Sequence, residues 1–217
     1  ALFAGLVASE VQQNYSSSGM FKISVNGAGS SNVFGRGNAT VALGSINDSD
    51  NDSLVDIPTE MLSLHLTGGG NITVKLGGNQ TKGIVEAKKN NTSNANLNKT
   101  NQTYPAYSFF DVFVEIDVPA KNVTKINNVT APGRGRGKLN QTHPRFNITV
   151  EEIPAMTLFN KDPIKIRANA VIKGEKTNVH GLYRALNEVD LFDKNNPDGP
   201  AVGKLKLQSL QFRKSFR

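Results

Sequence analysis

The chain has 217 residues, of which 37% are hydrophobic and 20% charged, which suits one large all-β domain or two small ones and is too rich in aliphatic alternation for wholesale disorder. It contains no cysteine, which excludes a disulfide scaffold, a cysteine-based zinc site and a thiol nucleophile, and no apolar run is long enough to span a bilayer. The net charge is +7, but the basic residues are scattered along the chain without interleaved aromatics, so no nucleic-acid partner is expected.

In chain order, residues 1–8 read Ala-Leu-Phe-Ala-Gly-Leu-Val-Ala and lead into Ser9-Glu10. The segment is short of a membrane span and lacks the basic start of a signal peptide. Three readings stay open: a remnant of a signal sequence, the first strand of its own domain, or an extended strand that fills a groove in the next copy. In the third, Ala1, Leu2, Phe3, Ala4, Leu6 and Val7 supply pocket-filling side chains while the main chain extends a sheet. Eight extended residues reach about 26 Å. A head-to-tail contact that does not close on itself propagates into a filament.

Met20–Val25 alternates, with Phe21, Ile23 and Val25 on one face. Asn47–Asp56 then sets carboxylates at Asp48, Asp50, Asp52 and Asp56, the alternate spacing of an oxygen-rich calcium loop. Ser53 stands where such loops carry glycine, and a solvated acidic turn is the competing reading. Met61–Leu66 puts Leu62, Leu64 and Leu66 on one face, and Gly68-Gly69-Gly70 joins it to Asn71–Leu76 as a hairpin. Residues 88–103 read KKNNTSNANLNKTNQT, a polar insertion. Tyr107–Val118 reads as one long strand whose inner face holds Phe110, Val112, Val114, Ile116 and Val118.

Gly133–Lys138 is a cationic loop. Glu151 and Glu152 are adjacent in a strand and point to opposite faces, so they do not form one acid–base site. Ile164–Ile172 and Val202–Leu210 alternate again, while Leu182–Phe192 fits a short helix. Pro119, Pro132, Pro154, Pro163 and Pro197 fall between segments, where they stop strands. The expected fold is all-β, a jelly-roll-like β-sandwich of eight to ten strands. Its organisation is a tail over 1–12 and a single domain over 13–217, interrupted around 88–103. No Gly-x-Ser-x-Gly elbow, His-Glu-x-x-His helix or phosphate loop is present, and His65, His143 and His180 lie far apart, so catalysis is not expected. No cofactor is required; calcium at the acidic loop is the leading candidate, and Asp193–Gly199 reads as a plain turn.

Asparagine carries the strongest compositional signal. Of 25 Asn, 14 open an Asn-x-Ser/Thr acceptor motif, where roughly 3 would arise by chance. They are Asn14, Asn38, Asn47, Asn51, Asn71, Asn79, Asn90, Asn91, Asn98, Asn101, Asn122, Asn128, Asn140 and Asn147. Ten of them carry Thr at the third position although Ser is the commoner residue, a bias that a merely polar chain would not show. This points to dense N-glycosylation of an extracellular surface. Asn160, Asn169, Asn178, Asn187, Asn195 and Asn196 fall in the last stretch of the chain and open no acceptor motif. A glycan cannot be buried, so residues 150–217 are expected to pack against the core or a neighbouring subunit. Secretion without cysteine fits an archaeal surface protein better than a eukaryotic one.

Ser9-Glu10 followed by Asn14-Tyr15-Ser16-Ser17-Ser18-Gly19-Met20-Phe21-Lys22-Ile23 resembles the start of mature TasA/camelysin-type fibre proteins. The match covers about 25 residues, with Glu10 where an Asp-Thr-Glu run is common and Tyr15 preceding the usual central aromatic. Archaeal members of that broad group include bundling pili, glycosylated threads and cannula tubules. The resemblance implies β-sandwich subunits joined by donor-strand complementation, with residues 1 to about 12 as the donor strand. The expectation is a cell-surface homopolymer carrying N-linked glycans, with no transmembrane segment; the alternative is a monomeric adhesion or carbohydrate-binding domain.

Overall fold

The structure, a computed structural model, describes residues 11–26, 29–48, 54–88, 103–131, 143–173 and 177–214. The described residues form fourteen strands: β1 (Val11–Val25), β2 (Gly29–Leu43), β3 (Asp56–Gly68), β4 (Thr73–Leu76), β5 (Thr81–Ala87), β6 (Thr103–Val112), β7 (Val114–Val118), β8 (Lys121–Ala131), β9 (His143–Ile153), β10 (Met156–Phe159), β11 (Ile164–Lys173), β12 (Gly181–Ala185), β13 (Val189–Asp193) and β14 (Gly203–Lys214). A single 3-10 turn at Gly69–Asn71 is the one helical element among them. The chain is all-β. No helix of the described residues is long and apolar enough to cross a membrane.

Two compact units divide these strands. The larger holds β1–β7 and β10–β14, and its pairing is a meander. The long strands β14, β1, β2 and β3 lie side by side, with β1 paired to β14 from Tyr15↔Lys214 to Val25↔Gly203 and to β2 from Val11↔Leu43 to Val25↔Gly29. Between β3 and β14 each position in the sheet is filled by two collinear pieces. β5 pairs with the first half of β3 and β4 with its second half; β6 and β7 pair with β5 and β4 in turn. β11 and β10 follow, then β12 and β13, and both of these return to β14. Counting each broken strand as one stave, eight antiparallel staves follow one another in chain order, and the last pairs with the first. Such closure leaves no sheet edge. The jelly-roll-like sandwich expected from alternation is corrected here to an up-and-down closed sheet, since neighbours in sequence are neighbours in the ladder throughout.

The breaks explain where the sequence misleads. Tyr107–Val118 is not one strand: it breaks at Phe113, whose N–H donates to Thr81 Oγ1 at 3.5 Å and whose carbonyl accepts from Gly77 N at 2.9 Å. Leu182–Phe192 is not a helix but β12 and β13. Tyr183, Val189 and Leu191 point into the core while Leu182 and Leu186 face out. A kink between two period-2 segments spaces the apolar residues three to four apart and so imitates a helical stripe. Leu62 is exposed because the β2–β3 register shifts at Thr40/Val41, so Met61, Leu64 and Leu66 turn inward.

The interior is aliphatic and aromatic. Tyr15, Phe212, Tyr183 and Phe110 form a chain of tilted rings with centroids 5.7, 5.2 and 5.7 Å apart. Each such contact adds about 1 kcal/mol beyond burial. Both phenols find partners at the segment before β12. Tyr183 OH donates to the Val179 carbonyl at 2.9 Å and lies 2.8 Å from Ser108 Oγ, and Val179 N donates to Tyr15 OH at 3.2 Å. Glycine is required where strands approach most closely: a Cβ at Gly37 would overlap the His65 carbonyl.

The second unit holds β8 and β9, paired with each other along their whole length from Lys121↔Ile153 to Ala131↔His143. The sequence had placed this stretch within a single domain. Among the described residues these two strands have no further neighbour in their sheet, so each keeps an open edge.

Candidate functional site

The acceptor asparagines divide by what is described of them. Asn14 and Asn38 lie on β1 and β2, Asn47 in the bridge to Asp56, Asn71 in the β3–β4 turn, Asn79 in the β4–β5 break and Asn122 at the start of β8. All six side chains are exposed. Asn71 adopts a left-handed backbone, φ 58, which asparagine tolerates better than most residues. Asn14 and Asn38 are close, because Thr40, the third residue of the Asn38 motif, donates to Asn14 Oδ1 at 2.8 Å. Asn128 and Asn147 sit within β8 and β9, while Asn51, Asn90, Asn91, Asn98, Asn101 and Asn140 lie outside the described residues.

The asparagines without acceptor motifs do different work. Asn160 is 2% exposed at the β10–β11 break, opposite the break between β6 and β7. Its Oδ1 accepts from Val114 N at 2.7 Å, and its Nδ2 donates to the carbonyls of Val112 at 3.1 Å and Asp162 at 2.8 Å. The side-chain amide thus replaces the strand neighbour that the kink removes. Asn187 repeats the device one stave on: Lys165 N donates to its Oδ1 at 2.8 Å and its Nδ2 donates to the Pro163 carbonyl at 3.0 Å. Sequence reading noted these asparagines for what they lack; the signal that could have marked Asn160 was its place just before Pro163, between two alternating runs, while Asn187 carries no such mark.

Of the proposed calcium ligands, Asp50 and Asp52 lie outside the described residues. Asp48 is half-buried, and Asp56 is 1% exposed at the start of β3, with its backbone bridged to Asn47 by bonds of 2.9 and 2.7 Å. Among the described residues no group of three or more His, Cys, Asp or Glu could hold a metal. The donor residues Ala1, Leu2, Phe3, Ala4, Leu6 and Val7, the greater part of the polar insertion and the Gly133–Lys138 loop also fall outside. Val11 and Gln12, assigned by sequence to the tail, belong instead to β1, opposite Leu43 and Ala42 of their own chain. The staves from β10 to β14, in the stretch expected to pack against the core or a neighbouring subunit, each have a hydrogen-bonded neighbour on either side within their own sheet.

Electrostatics differ sharply between the outer faces. Along the neighbouring strands β4, β7 and β10, Lys75 lies 3.1 Å from Asp117 and 3.6 Å from Glu115, and Lys194, just past β13, lies 2.7 Å from Glu115. Thr157 Oγ1 donates to Asp117 at 2.8 Å. That hydroxyl first, then Lys75, holds the Asp117 carboxyl below its ordinary range, and the Asp117 bond raises Lys75. Inside the barrel, burial pushes the Tyr15 phenol up to about 12 and Tyr183 higher still.

No family model and no curated protein matches the chain. Among solved structures, that of DynF from the dynemicin biosynthesis pathway of Micromonospora chersina is similar, with a TM-score of 0.62 over 99% of this chain and 87% of that one, at 14% identity. At that identity the likeness speaks for the fold alone.

Proposed function

We propose that this chain is a structural subunit of an extracellular, heavily N-glycosylated filament, assembled by strand donation between copies. The observation that carries the reading is the exposure of every acceptor asparagine whose side chain is described, set against the structural use of Asn160 and Asn187 where acceptor motifs are missing. Closure of the larger unit directs the donated strand elsewhere. The open edges of the β8–β9 hairpin are the acceptor in this reading, since an isolated two-stranded hairpin is marginal in water and gains from a third strand. The donor is the apolar stretch within residues 1–10.

The reading involves no catalytic step. His65 and His180 are exposed on separate elements, and the buried phenols are occupied in holding the segment around Val179. A second reading, a monomeric barrel serving a small-molecule pathway, draws on the likeness to DynF.

Deleting residues 1–10 separates the two. Size-exclusion chromatography with light scattering should show large assemblies for the full chain and monomers for the shortened one. Monomers in both cases, at every concentration, would defeat the proposal.

A further inference from the structure

Five neighbouring strands of the closed sheet, in the order β11, β12, β14, β1 and β2, carry ten cationic side chains and no carboxylate. β11 holds Lys165, Arg167 and Lys173, and β12 holds Arg184. β14 contributes Lys204, Lys206, Arg213 and Lys214, while Lys22 and Arg36 come from β1 and β2. All ten are exposed. They look scattered in the sequence because they are drawn from residues 22 to 214, and the sheet gathers them.

Two features set this face apart from an ordinary solvated surface. Arg167 stands directly opposite Arg184 across β11–β12, and Lys22 directly opposite Lys206 across β1–β14. Like charges so placed destabilise a ladder. Carboxylates do not relieve them: among the described residues only Lys204 of the ten has ion-pair partners, Glu188 and Asp190, each at 3.8 Å. The face around Lys75 and Lys194 shows the contrary arrangement, with its cations neutralised by Glu115 and Asp117. Between the cations lie exposed apolar side chains, Met20 (39%) directly opposite Phe34 (46%), and Leu182 (48%) and Leu186 (56%) along the β12 side.

The geometry points to this face as a docking surface for an anionic polysaccharide, a polymer bearing carboxylate or sulfate groups. Charge complementarity supplies the attraction. The interspersed Ser18, Ser24, Gln208 and Gln211 offer hydrogen bonds to hydroxyls, and the Met20–Phe34 patch offers an apolar platform for sugar rings. A single-stranded nucleic acid needs successive aromatics to stack its bases, and Phe34 is the one exposed aromatic on these five strands. A duplex meets a convex barrel wall along a short line, so few phosphates reach the cations.

The test uses the full chain with heparin as probe and a single-stranded oligothymidylate as comparator, titrated at several salt concentrations. The triple variant K22Q/R184Q/K206Q should bind heparin at least tenfold more weakly, with the slope of log K against log salt reduced by about 2. It should also melt no lower than the parent, because repulsion is relieved. A control with equal charge removed elsewhere, K82Q/K121Q/K161Q, should lose less than threefold. Equal losses in the two variants, no heparin binding at low salt, or tighter binding of the oligothymidylate would each overturn the assignment.

Discussion

The staves from β1 to β7 and those from β10 to β14 use the same residue for opposite purposes. On the first set, Asn14, Asn38 and Asn71 turn their amides outward from ladders and turns that are complete without them. On the second, Asn160 and Asn187 turn theirs into the sheet and restore hydrogen bonds lost at the kinks. An asparagine is available for a glycan only where the backbone does not need it. At these two kinks of the second set the asparagine amides are committed to the backbone.

The largest effect should come from the most deeply committed of these residues. Asn160→Ala removes three hydrogen bonds from a buried break and strands Val114 N and the Val112 carbonyl, so urea unfolding should show a loss of about 3 kcal/mol. The inner side of β1, the strand that carries Asn14, gives the next effect. Tyr15 titrates near pH 10 when unfolded and at about 12 when folded, so its contribution is whole below pH 10 and is lost as pH rises through 12. Stability should fall by about 2–3 kcal/mol across that window, and Y15F should flatten the decline. Asn187→Ala, at a half-buried break with two bonds, should cost about 2 kcal/mol. Asn38→Gln or Asn79→Gln should stay within about 0.5 kcal/mol in unglycosylated protein while each removes one glycan mass from material made by a glycosylating host. A stability change at Asn79 as large as that at Asn187 would erase the distinction between the two halves. Smallest of all is the acidic loop: if Asp48, Asp50, Asp52 and Asp56 bind calcium, calcium addition raises the melting temperature, and a flat titration removes that ligand set.

Much of the fold was legible in the sequence because two-residue alternation is a direct consequence of one wet and one dry face. Phe21, Ile23, Leu64, Leu66, Ile164 and Ile166 all turn inward as their spacing requires. Closure was not legible, since the pairing of β1 with β14 joins residues nearly two hundred positions apart and leaves no local mark. The kinks were misread for a related reason. Phe113 lies in an unbroken alternating run, and its break is set by Thr81 and Gly77 on the neighbouring stave. The acceptor motifs could be read one by one, yet their exposure follows from strand register. The cationic face was invisible for the same reason as closure: Lys22 and Lys206 meet only once the sheet is formed.

Electron microscopy of the purified full chain, beside the chain lacking residues 1–10, tests the central claim most directly. The account predicts regular filaments of uniform width from the first and dispersed single particles from the second. Dispersed particles from both, or filaments that persist without the amino-terminal segment, would contradict it.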